Sequence, residues 1–482
     1  MFGLSETGTN GGQANSISPI SIDAIEEFQV VIAPFDVRLG GFAGGGINAV
    51  TRSGSNKFSG SVYTFYRNES LAGKTPTDNP SLERKKLDNF TAQTTGLRLG
   101  GPIIKDKLFF FVNAEFQRDE TPQPFDYATY NGTVTQSDLN TLTNFLRSTY
   151  GYDPGGYLDN PSETKSDKFL ARFDYNLNED HKISLRHSYT KGEAYKRTRS
   201  SNSMINFSNN SEFFPSTTNS TALELKSAFG NSRSNNLIIG YTTVVDDRGS
   251  LGQDFPRVTI NDGTNRIVFG TEPFSTINQL KSKILTLTDN YTIYKQRHVF
   301  TFGTHNEYAT FYNAFIGNAF GTYTFADLSS FLNGDISTDY ERSYSLVDDV
   351  AGDGTKAAAD FKTLQLGFYA QDEITVNQKL KLTAGLRIDI PMFLNKPEED
   401  TYFNNTVIPK IEAAGYDLEG ARVGRVPKPQ LMFSPRIGFN YDLSGEQTTQ
   451  IRGGVGIFTS RIPYVWPGAS FNNNGILVGA IP

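Results

Sequence analysis

The chain has 482 residues, and its 45 lysines and arginines against 51 aspartates and glutamates give a net charge of −6, so it offers no basic surface for a nucleic-acid partner. It contains no cysteine, which excludes disulfides, thiolate metal sites and cysteine nucleophiles. Only 37% of the residues are hydrophobic, yet 37 phenylalanines, 23 tyrosines and 45 glycines are present, a composition that suits alternating strands better than a thick apolar core.

The first residues, Met1 to Glu6, carry neither the basic region nor the apolar stretch of a secretion signal. No segment reaches the roughly 18 consecutive apolar residues that a membrane helix requires. If the protein is a membrane protein, the sequence therefore predicts a β-barrel. We expect either a cytosolic protein or an exported one whose beginning precedes residue 1.

Residues 20–56 contain a glycine-rich bend between two short apolar runs. Glycine permits a positive φ and close backbone contact, as a compact segment threaded through a narrow space requires. A phosphate-binding loop is the competing interpretation, but neither the dinucleotide spacing nor the Walker lysine is present. The glycines of this bend are Gly40, Gly41, Gly44, Gly45 and Gly46.

From about residue 57 onward the sequence predicts one strand, 58–67, followed by six hairpins. Each hairpin joins two alternating strands through a turn of three to five polar residues. The predicted hairpins pair 95–104 with 108–118, 169–177 with 182–190, 221–229 with 236–245, 284–294 with 298–310, 364–376 with 380–390, and 435–443 with 448–459.

The alternation is clearest in residues 380–390, where one face carries only apolar side chains and the other carries charge. We expect Leu382, Leu386 and Ile388 on the apolar face, with Thr383 and Arg387 on the polar face. An antiparallel sheet of a soluble protein, with one face on a core, would show the same alternation.

The lengths of the connections favour a membrane barrel. Short turns alternate with long polar loops at about 119–168, 191–220, 246–283, 311–363 and 391–434. Soluble domains rarely keep structureless loops this long, whereas outer-membrane barrels combine short periplasmic turns with long outer loops. The single strand and six hairpins make thirteen strands, and because bacterial barrels close with an even number, we expect further strands to follow.

Residues 20–66 resemble the end of the plug of TonB-dependent receptors, in which an Ile-Glu strand, a glycine-rich bend and a Gly-Gly-x-Ile-Asn strand precede the first barrel strand. The junction Ser-Gly-Ser-Asn-Lys-Phe-Ser-Gly at residues 53–60 is most similar to the Oar-like branch. The resemblance implies an all-β protein: the C-terminal part of a plug domain in 1–56, and in 57–482 about 13 strands of an antiparallel transmembrane barrel of about 22.

The same resemblance implies a signal peptide, a TonB-contacting segment and an earlier part of the plug, none of which is present in this sequence. It also implies a location in the bacterial outer membrane, with lipid, TonB and an unidentified extracellular ligand as partners. The function implied is binding at the outer loops and import past the plug. A structural or adhesive envelope protein acting through its loops is the alternative.

Charged residues on the polar faces are candidates for holding the plug. We expect Arg38 and Arg52 either to pair with wall carboxylates, such as Glu115, Glu373 or Asp389, or simply to face water in the lumen. Catalysis finds little support and no cofactor is expected. The four histidines have no ligand-spaced partner, and the acidic residues of 348–360 do not match a calcium loop.

Overall fold

The computed structural model describes residues 17–32, 35–41, 45–74, 76, 84, 86–350, 352–461 and 463–481. Up to residue 250 its elements are β1 (Ile25–Ile32), β2 (Gly45–Thr51), β3 (Ser59–Asn68), β4 (Thr91–Ile104), β5 (Leu108–Thr121), α1 (Gln136–Tyr150), β6 (Ser162–Asn176), β7 (His181–Lys196), β8 (Met204–Asn206), β9 (Glu212–Phe229), β10 (Arg233–Asp247) and β11 (Gly249–Ser250).

The second half of the chain continues the same pattern of long paired strands with smaller elements between them. These are β12 (Arg257–Asp262), β13 (Asn265–Phe269), β14 (Ile277–Lys295), β15 (His298–Ile316), β16 (Thr322–Phe325), α2 (Leu328–Asn333), β17 (Asp339–Ser345), β18 (Ala359–Thr375), β19 (Leu380–Phe393), α3 (Ile408–Ala413), β20 (Met432–Asp442), β21 (Gln450–Gly456), α4 (Val465–Asn472) and β22 (Val478–Ile481). Among the described residues, no helix is long and apolar enough to cross a bilayer.

Thirteen long strands form one antiparallel meander, which we call the wall. Its order is β3-β4-β5-β6-β7-β9-β10-β14-β15-β18-β19-β20-β21, and the short β11 pairs beside β9. This confirms the predicted fold class and the predicted succession of one strand and six hairpins. In the described part of the chain β3 and β21 do not pair with each other, so the sheet is open.

The wall has two faces of different character, as the alternation predicts. In β14, Leu280, Ser282 and Ile284 are buried whereas Lys281 and Lys283 between them are exposed. We call the buried side the inner face, because the N-terminal segment packs against it, and the other side the outer face. Along β19, Leu386 lies exposed on the outer face, as expected.

The N-terminal segment, residues 17–56, forms a separate small sheet against the inner face. β1 and β2 pair antiparallel, with Val30 opposite Ile47, and the register shifts between Ile25 and Glu27. The chain then enters β3 at Ser59. A two-stranded hairpin is marginal by itself, so its position depends on its contacts with the wall.

The long loops are more ordered than the sequence analysis expected. Most wall strands run beyond their predicted ends, for example to Ile316 in β15 and from Glu212 in β9, whereas β21 is shorter than the predicted 448–459. The four loops between β5 and β18 also contain helices and strands of their own. Alternation fades where neither face of a strand needs to be apolar, and these strand ends were therefore predicted too close to the short turns.

Parts of these loops assemble into one unit, which we call the loop domain: α1, β8, β12, β13, β16, α2, β17 and β22. Its six strands follow the order β22-β17-β16-β12-β13-β8. Four of these strands, β8, β12, β13 and β16, contribute with α1 and α2 to one apolar core. The buried members of this core are Phe125, Leu139, Leu142, Leu146, Tyr152, Ile205, Phe207, Val258, Ile260, Ile267, Phe269 and Phe331.

Candidate functional site

The N-terminal segment touches the inner face of the wall at two places. The first contact joins residues 20–25 and Thr51 to strands β3–β6. The second contact joins residues 35–40 to strands β18–β21. Because the inner-face side chains lie on strands of one hydrogen-bonded sheet, strand register sets the geometry of both contacts.

The first contact has a small apolar centre. Ile20, Ala24 and Ile25 pack against Phe111 of β5 and Leu170 of β6, and all five side chains are buried. Burying a large apolar side chain contributes about 1.5–3 kcal/mol. This cluster therefore anchors the start of the segment to the wall.

Glu115 of β5 lies beside that apolar centre and is surrounded by donors. The hydroxyl of Ser21 donates to its Oε2 at 2.9 Å, the hydroxyl of Tyr63 donates to the same oxygen at 2.7 Å, and the Lys168 Nζ lies 2.7 Å from Oε1. Since Lys168 and Glu115 are both buried, removing either would leave the other as an uncompensated charge. Ser21 thus contacts a wall carboxylate that is already neutralised.

Two wall arginines complete the first contact. The Arg98 Nε lies 3.4 Å from the carboxylate of Asp23, to which the Ser61 hydroxyl donates at 2.7 Å. The Arg172 Nη1 donates to the backbone carbonyl of Thr51 at 2.8 Å. Arg98 also donates to the backbone carbonyl of Asp23 at 3.4 Å. Both arginines therefore bind the backbone of the segment, and Arg98 binds a carboxylate as well.

At the second contact, Arg436 of β20 holds a loop of backbone. Its Nη1 donates to the carbonyl oxygens of Asp36 and Leu39, each at 2.7 Å. The Arg436 side chain is 1% exposed, so these charge-assisted bonds form away from bulk water, where they are stronger than neutral ones. Arg436 thereby spans the turn formed by residues 36–39.

Arg387 of β19 lies next to this turn. Its Nη1 contacts the carbonyl oxygen of Val37 at 3.4 Å, and its Nε and Nη2 donate to Asp389 at 2.8 and 2.7 Å. The amide N–H of Val37 donates in turn to the side-chain oxygen of Gln371 at 3.0 Å. Both backbone groups of Val37 are therefore bonded to the wall.

Glycines in the wall leave room for the segment. A Cβ at Gly385 would lie 2.6 Å from Val37, and one at Gly438 would lie 2.9 Å from the ring of Phe35. At Gly454 it would lie 2.7 Å from the same ring. Such distances are well inside van der Waals contact, so these three wall positions accept the segment only as glycine.

The two candidate arginines of the segment pair locally. The Arg38 Nε lies 2.9 Å from the Asp36 Oδ2, and the Arg52 Nη1 lies 3.8 Å from Glu26. Both partners belong to the segment itself. Within the described residues neither arginine pairs with a wall carboxylate, and both side chains remain partly exposed, 50% for Arg38 and 34% for Arg52.

The three candidate wall carboxylates have wall cations as their ion-pair partners. Glu115 pairs with Lys168 as described, Glu373 lies 3.2 Å from Lys381, and Asp389 lies 2.7 Å from Arg387. Glu115 also touches the segment through Ser21, whereas Asp389 acts on it only by orienting Arg387.

The glycines of the bend have different surroundings. Gly40 lies against Arg387, whose Cζ would be 2.6 Å from an added Cβ. Gly41 has a φ of 73°. Gly45 and Gly46 begin β2 opposite Ile32 and Val31, and Gly44 lies outside the described residues.

Four wall arginines contact the N-terminal segment but were not predicted to do so: Arg98, Arg172, Arg387 and Arg436. All lie on the polar face of an alternating strand, and that signal was available. Their acceptors were not predictable, because all four bind backbone carbonyls of the segment. Every residue has a backbone carbonyl, so the residue type does not indicate which carbonyl will accept the hydrogen bond.

Asp262 of β12 organises one corner of the loop domain. It accepts hydrogen bonds from the Tyr130 hydroxyl at 3.0 Å and from the amides of Thr133 and Val134 at 2.8 and 3.1 Å. Burial alone would raise the pKa of the Asp262 carboxyl, but these hydrogen bonds outweigh it and hold that pKa below its ordinary value. Asp262 is therefore an ionised clamp between β12 and residues 130–134.

Within the described residues, no group of three His, Asp or Glu side chains is arranged to hold a metal ion. His305 lies on the inner face, with its Nδ1 2.7 Å from the Thr288 hydroxyl. His298 pairs with Asp372 at 2.8 Å near a short turn. The contacts described on the inner face therefore hold the N-terminal segment against the wall.

A model of the outer membrane beta barrel domain matches residues 50–138 and 123–476 of this sequence. The chain belongs to this family. The TonB-dependent transporter Oar of Myxococcus xanthus is 29% identical over 175 residues, which is 35% of this chain and 16% of that protein. The chain therefore spans a small part of this curated relative.

Solved structures show the same fold. The outer membrane transporter YddB from Escherichia coli matches 98% of this chain and 52% of its own, with a TM-score of 0.63 and 13% identity. The ferripyoverdine receptor of Pseudomonas aeruginosa matches 89% of this chain and 46% of its own, with a TM-score of 0.52 and 13% identity. This chain spans about half of either structure. The domain match places the chain in the bacterial outer membrane. Part of the chain is similar to a TonB-dependent transporter, and the likenesses to the two solved structures show a shared fold.

Proposed function

We propose that this chain is the plug-to-barrel portion of a receptor that binds a ligand at its outer loops and imports it past a removable plug. Residues 1–56 would then be the C-terminal part of the plug, and residues 57–482 the N-terminal part of the barrel with its extracellular loops. TonB, acting on a segment ahead of this chain, would supply the pull. The coarser statement, an outer-membrane receptor or transporter, rests on the relatives described above.

The observation that carries the proposal is the chemistry of the second contact. Arg436 and Arg387 hold residues 36–39 through carbonyl oxygens, and wall glycines receive Phe35 and Val37. Hydrogen bonds exchange with water at a small net cost of about 0.5–1.5 kcal/mol each, or about 1.5–3 when one partner is charged. A contact built this way can be broken by a pull and made again without unfolding the wall.

The test uses the complete receptor in cells. In a triple variant, Arg436→Gln, Arg387→Gln and Asp389→Asn together, the two wall arginines are lost and no carboxylate is left uncompensated. We expect increased sensitivity to bulky hydrophilic antibiotics, because the loosened segment opens the lumen. The matched control is Arg452→Gln in β21, whose guanidinium bonds to Gln450 and is exposed. Unchanged sensitivity, with normal amounts of folded receptor in the outer membrane, would overturn the plug assignment.

A structural or adhesive role is the second candidate, and the loop domain is the observation that favours it. Its own apolar core gives it the rigidity of a binding platform. The two functions separate when the proton gradient is collapsed: import of a bound ligand stops, whereas adhesion through the loop domain continues.

A further inference from the structure

The outer face of the wall changes character sharply at one height. Moving along β14 away from its short turn, the outward side chains are Ile293, Tyr291, Asp289, Leu287 and Leu285, and then Lys283 and Lys281. Asp289 accepts a hydrogen bond from the side chain of Asn235 on β10 at 2.8 Å. The two leucines and both lysines are exposed. The step from leucine to lysine marks where the wall leaves the hydrocarbon.

The height of this step fits the outer surface of the membrane. Lys283 lies twelve residues from Lys295, where β14 meets its short turn. With a rise of about 3.4 Å per residue and a strand tilt of about 40°, that separation spans about 31 Å along the membrane normal. The apolar band of such barrels is about 25 Å tall. Since the short turns are periplasmic, Lys283 lies at the headgroups of the outer leaflet.

The lysines lie on β14 and β18, on either side of β15. Lys283 is paired with Thr310 of β15, and Thr310 is paired with Lys362 of β18. Adjacent strands lie about 4.8 Å apart, so the Cα atoms of Lys283 and Lys362 are about 10 Å apart. Lys281 lies two residues farther along β14, with its Nζ 5.2 Å from the ring centre of Tyr312. We call Lys281, Lys283 and Lys362 the lysine row.

No member of the lysine row forms an ion pair within the parts of the chain that the structure describes. The nearest outward acidic residues are Asp360, opposite Tyr312, and Asp247, opposite Gln279. Asp360 lies at the level of Lys281 and Asp247 lies beyond it, so both are on the solvent side of Lys283 and Lys362. They do not neutralise the side of the row that faces the membrane.

Two outward-facing cations on strands β5 and β7 are, by contrast, neutralised. Arg118 of β5 lies 2.6 Å from Asp167, and Lys191 of β7 lies 2.7 Å from Glu193. These side chains also point to the outer face, just beyond Phe116 and other aromatic residues. The lysine row therefore differs from a general feature of the outer rim.

We propose that the lysine row binds the phosphate groups of a phosphorylated lipid in the outer leaflet. Three ammonium groups and the Thr310 hydroxyl supply donors at headgroup height, whereas the exposed Leu285 and Tyr308 just below offer an apolar surface to the acyl chains. Each lysine near an anionic lipid surface contributes a favourable interaction that adds to the others. The inference depends on the membrane orientation of the wall and not on import.

The experiment places the complete receptor in nanodiscs and counts retained lipid by native mass spectrometry. Bisphosphorylated lipid A and its dephosphorylated form are offered in separate samples, and inorganic phosphate is offered as a competitor. The test variant is Lys281→Gln, Lys283→Gln and Lys362→Gln together. The matched control is Arg118→Gln and Lys191→Gln together.

We expect the native receptor and the control to retain the phosphorylated lipid, and the test variant to retain it at least about tenfold less. Millimolar phosphate should compete only weakly, because it lacks acyl chains, and full displacement would mean that the row binds free phosphate. If the test variant does not fold, the native receptor still decides. Equal retention of phosphorylated and dephosphorylated lipid by the native receptor, or equal retention by the test variant, overturns the proposal.

Discussion

Leu386 and Thr383 lie three residues apart on β19 but face different surroundings. Leu386 is 40% exposed on the outer face and Thr383 lies on the inner face, opposite Glu373. A positive charge on the lipid side near the middle of the membrane costs about 2–4 kcal/mol, and one in a hydrated lumen costs far less. We therefore expect Leu386→Arg to destabilise the complete receptor in bilayers by that amount.

Denaturant titration of receptor refolded into bilayers measures the difference. Thr383→Arg is the matched control, with the same substituted side chain on the same strand. Equal losses of stability for the two variants would contradict the assignment of the faces.

Asp262 makes the loop domain sensitive to acid. Its pKa is lower in the folded protein than the ordinary value of about 3.9. Its contribution to stability is therefore present above that ordinary value and is lost as the pH falls through the lower folded value. We expect the native receptor to lose more stability than Asp262→Asn does when the pH falls from about 5 to about 2.

Thermal unfolding followed by near-ultraviolet circular dichroism checks this pH dependence. Asp254→Asn, in an exposed position of the same loop, serves as the control and should behave like the native protein. Parallel pH profiles for the native protein and Asp262→Asn would show that ionisation of Asp262 does not contribute to stability.

At the residue scale, the sequence predicted which wall side chains face inward better than it predicted their partners. Arg387 was expected on the polar face and is found there, 1% exposed. Its bonds to Val37 depend on where a turn of another segment happens to lie. Arg38 found a carboxylate two residues away, at Asp36, because a local pair needs no ordering of distant chain.

At the scale of elements, none of the helices α1 to α4 was predicted, and α1 is the longest of them. Thr135 caps its first turn and forms a capping box with Asp138, and Gly151 ends it with a φ of 64°. Leu139, Leu142 and Leu146 fall on one face. This capping box and leucine spacing are visible in the sequence, but they lie within a stretch that was predicted to be a polar loop.

Leu142 tests whether the loop domain has a true core. It is fully buried in the core of the loop domain. Leu142→Ala should destabilise the domain by about 2–5 kcal/mol, the usual cost of a cavity at a buried leucine. Hydrogen exchange of the α1 amides in the complete receptor measures the loss.

Leu158→Ala is the control for this substitution, because Leu158 is 44% exposed; it should cost less than about 0.5 kcal/mol. If both variants leave the α1 amides equally protected, the loop domain does not depend on this core.

At the scale of the molecule, the count and order of the wall strands followed from alternation and short turns, since each hairpin is local in sequence. The loop domain did not, because it joins residues as distant as Ile205 and Phe331 through loops whose composition is polar on average. Its strand pairs include parallel ones, between β12 and β16 and between β13 and β8. Such non-local pairings leave no periodic trace in any one loop.

The central claim is that the outer face of the wall contacts lipid, and site-specific fluorescence tests it most directly. The chain has no native cysteine, so single cysteines at Leu382, Leu386 and Ile388, and at Thr383 as the inward control, can each carry a fluorophore in the complete receptor. Reconstituted with lipids that bear quenchers on their acyl chains, the three outward labels should be strongly quenched and the label at residue 383 should not. Absence of quenching at all three outward positions would contradict the barrel.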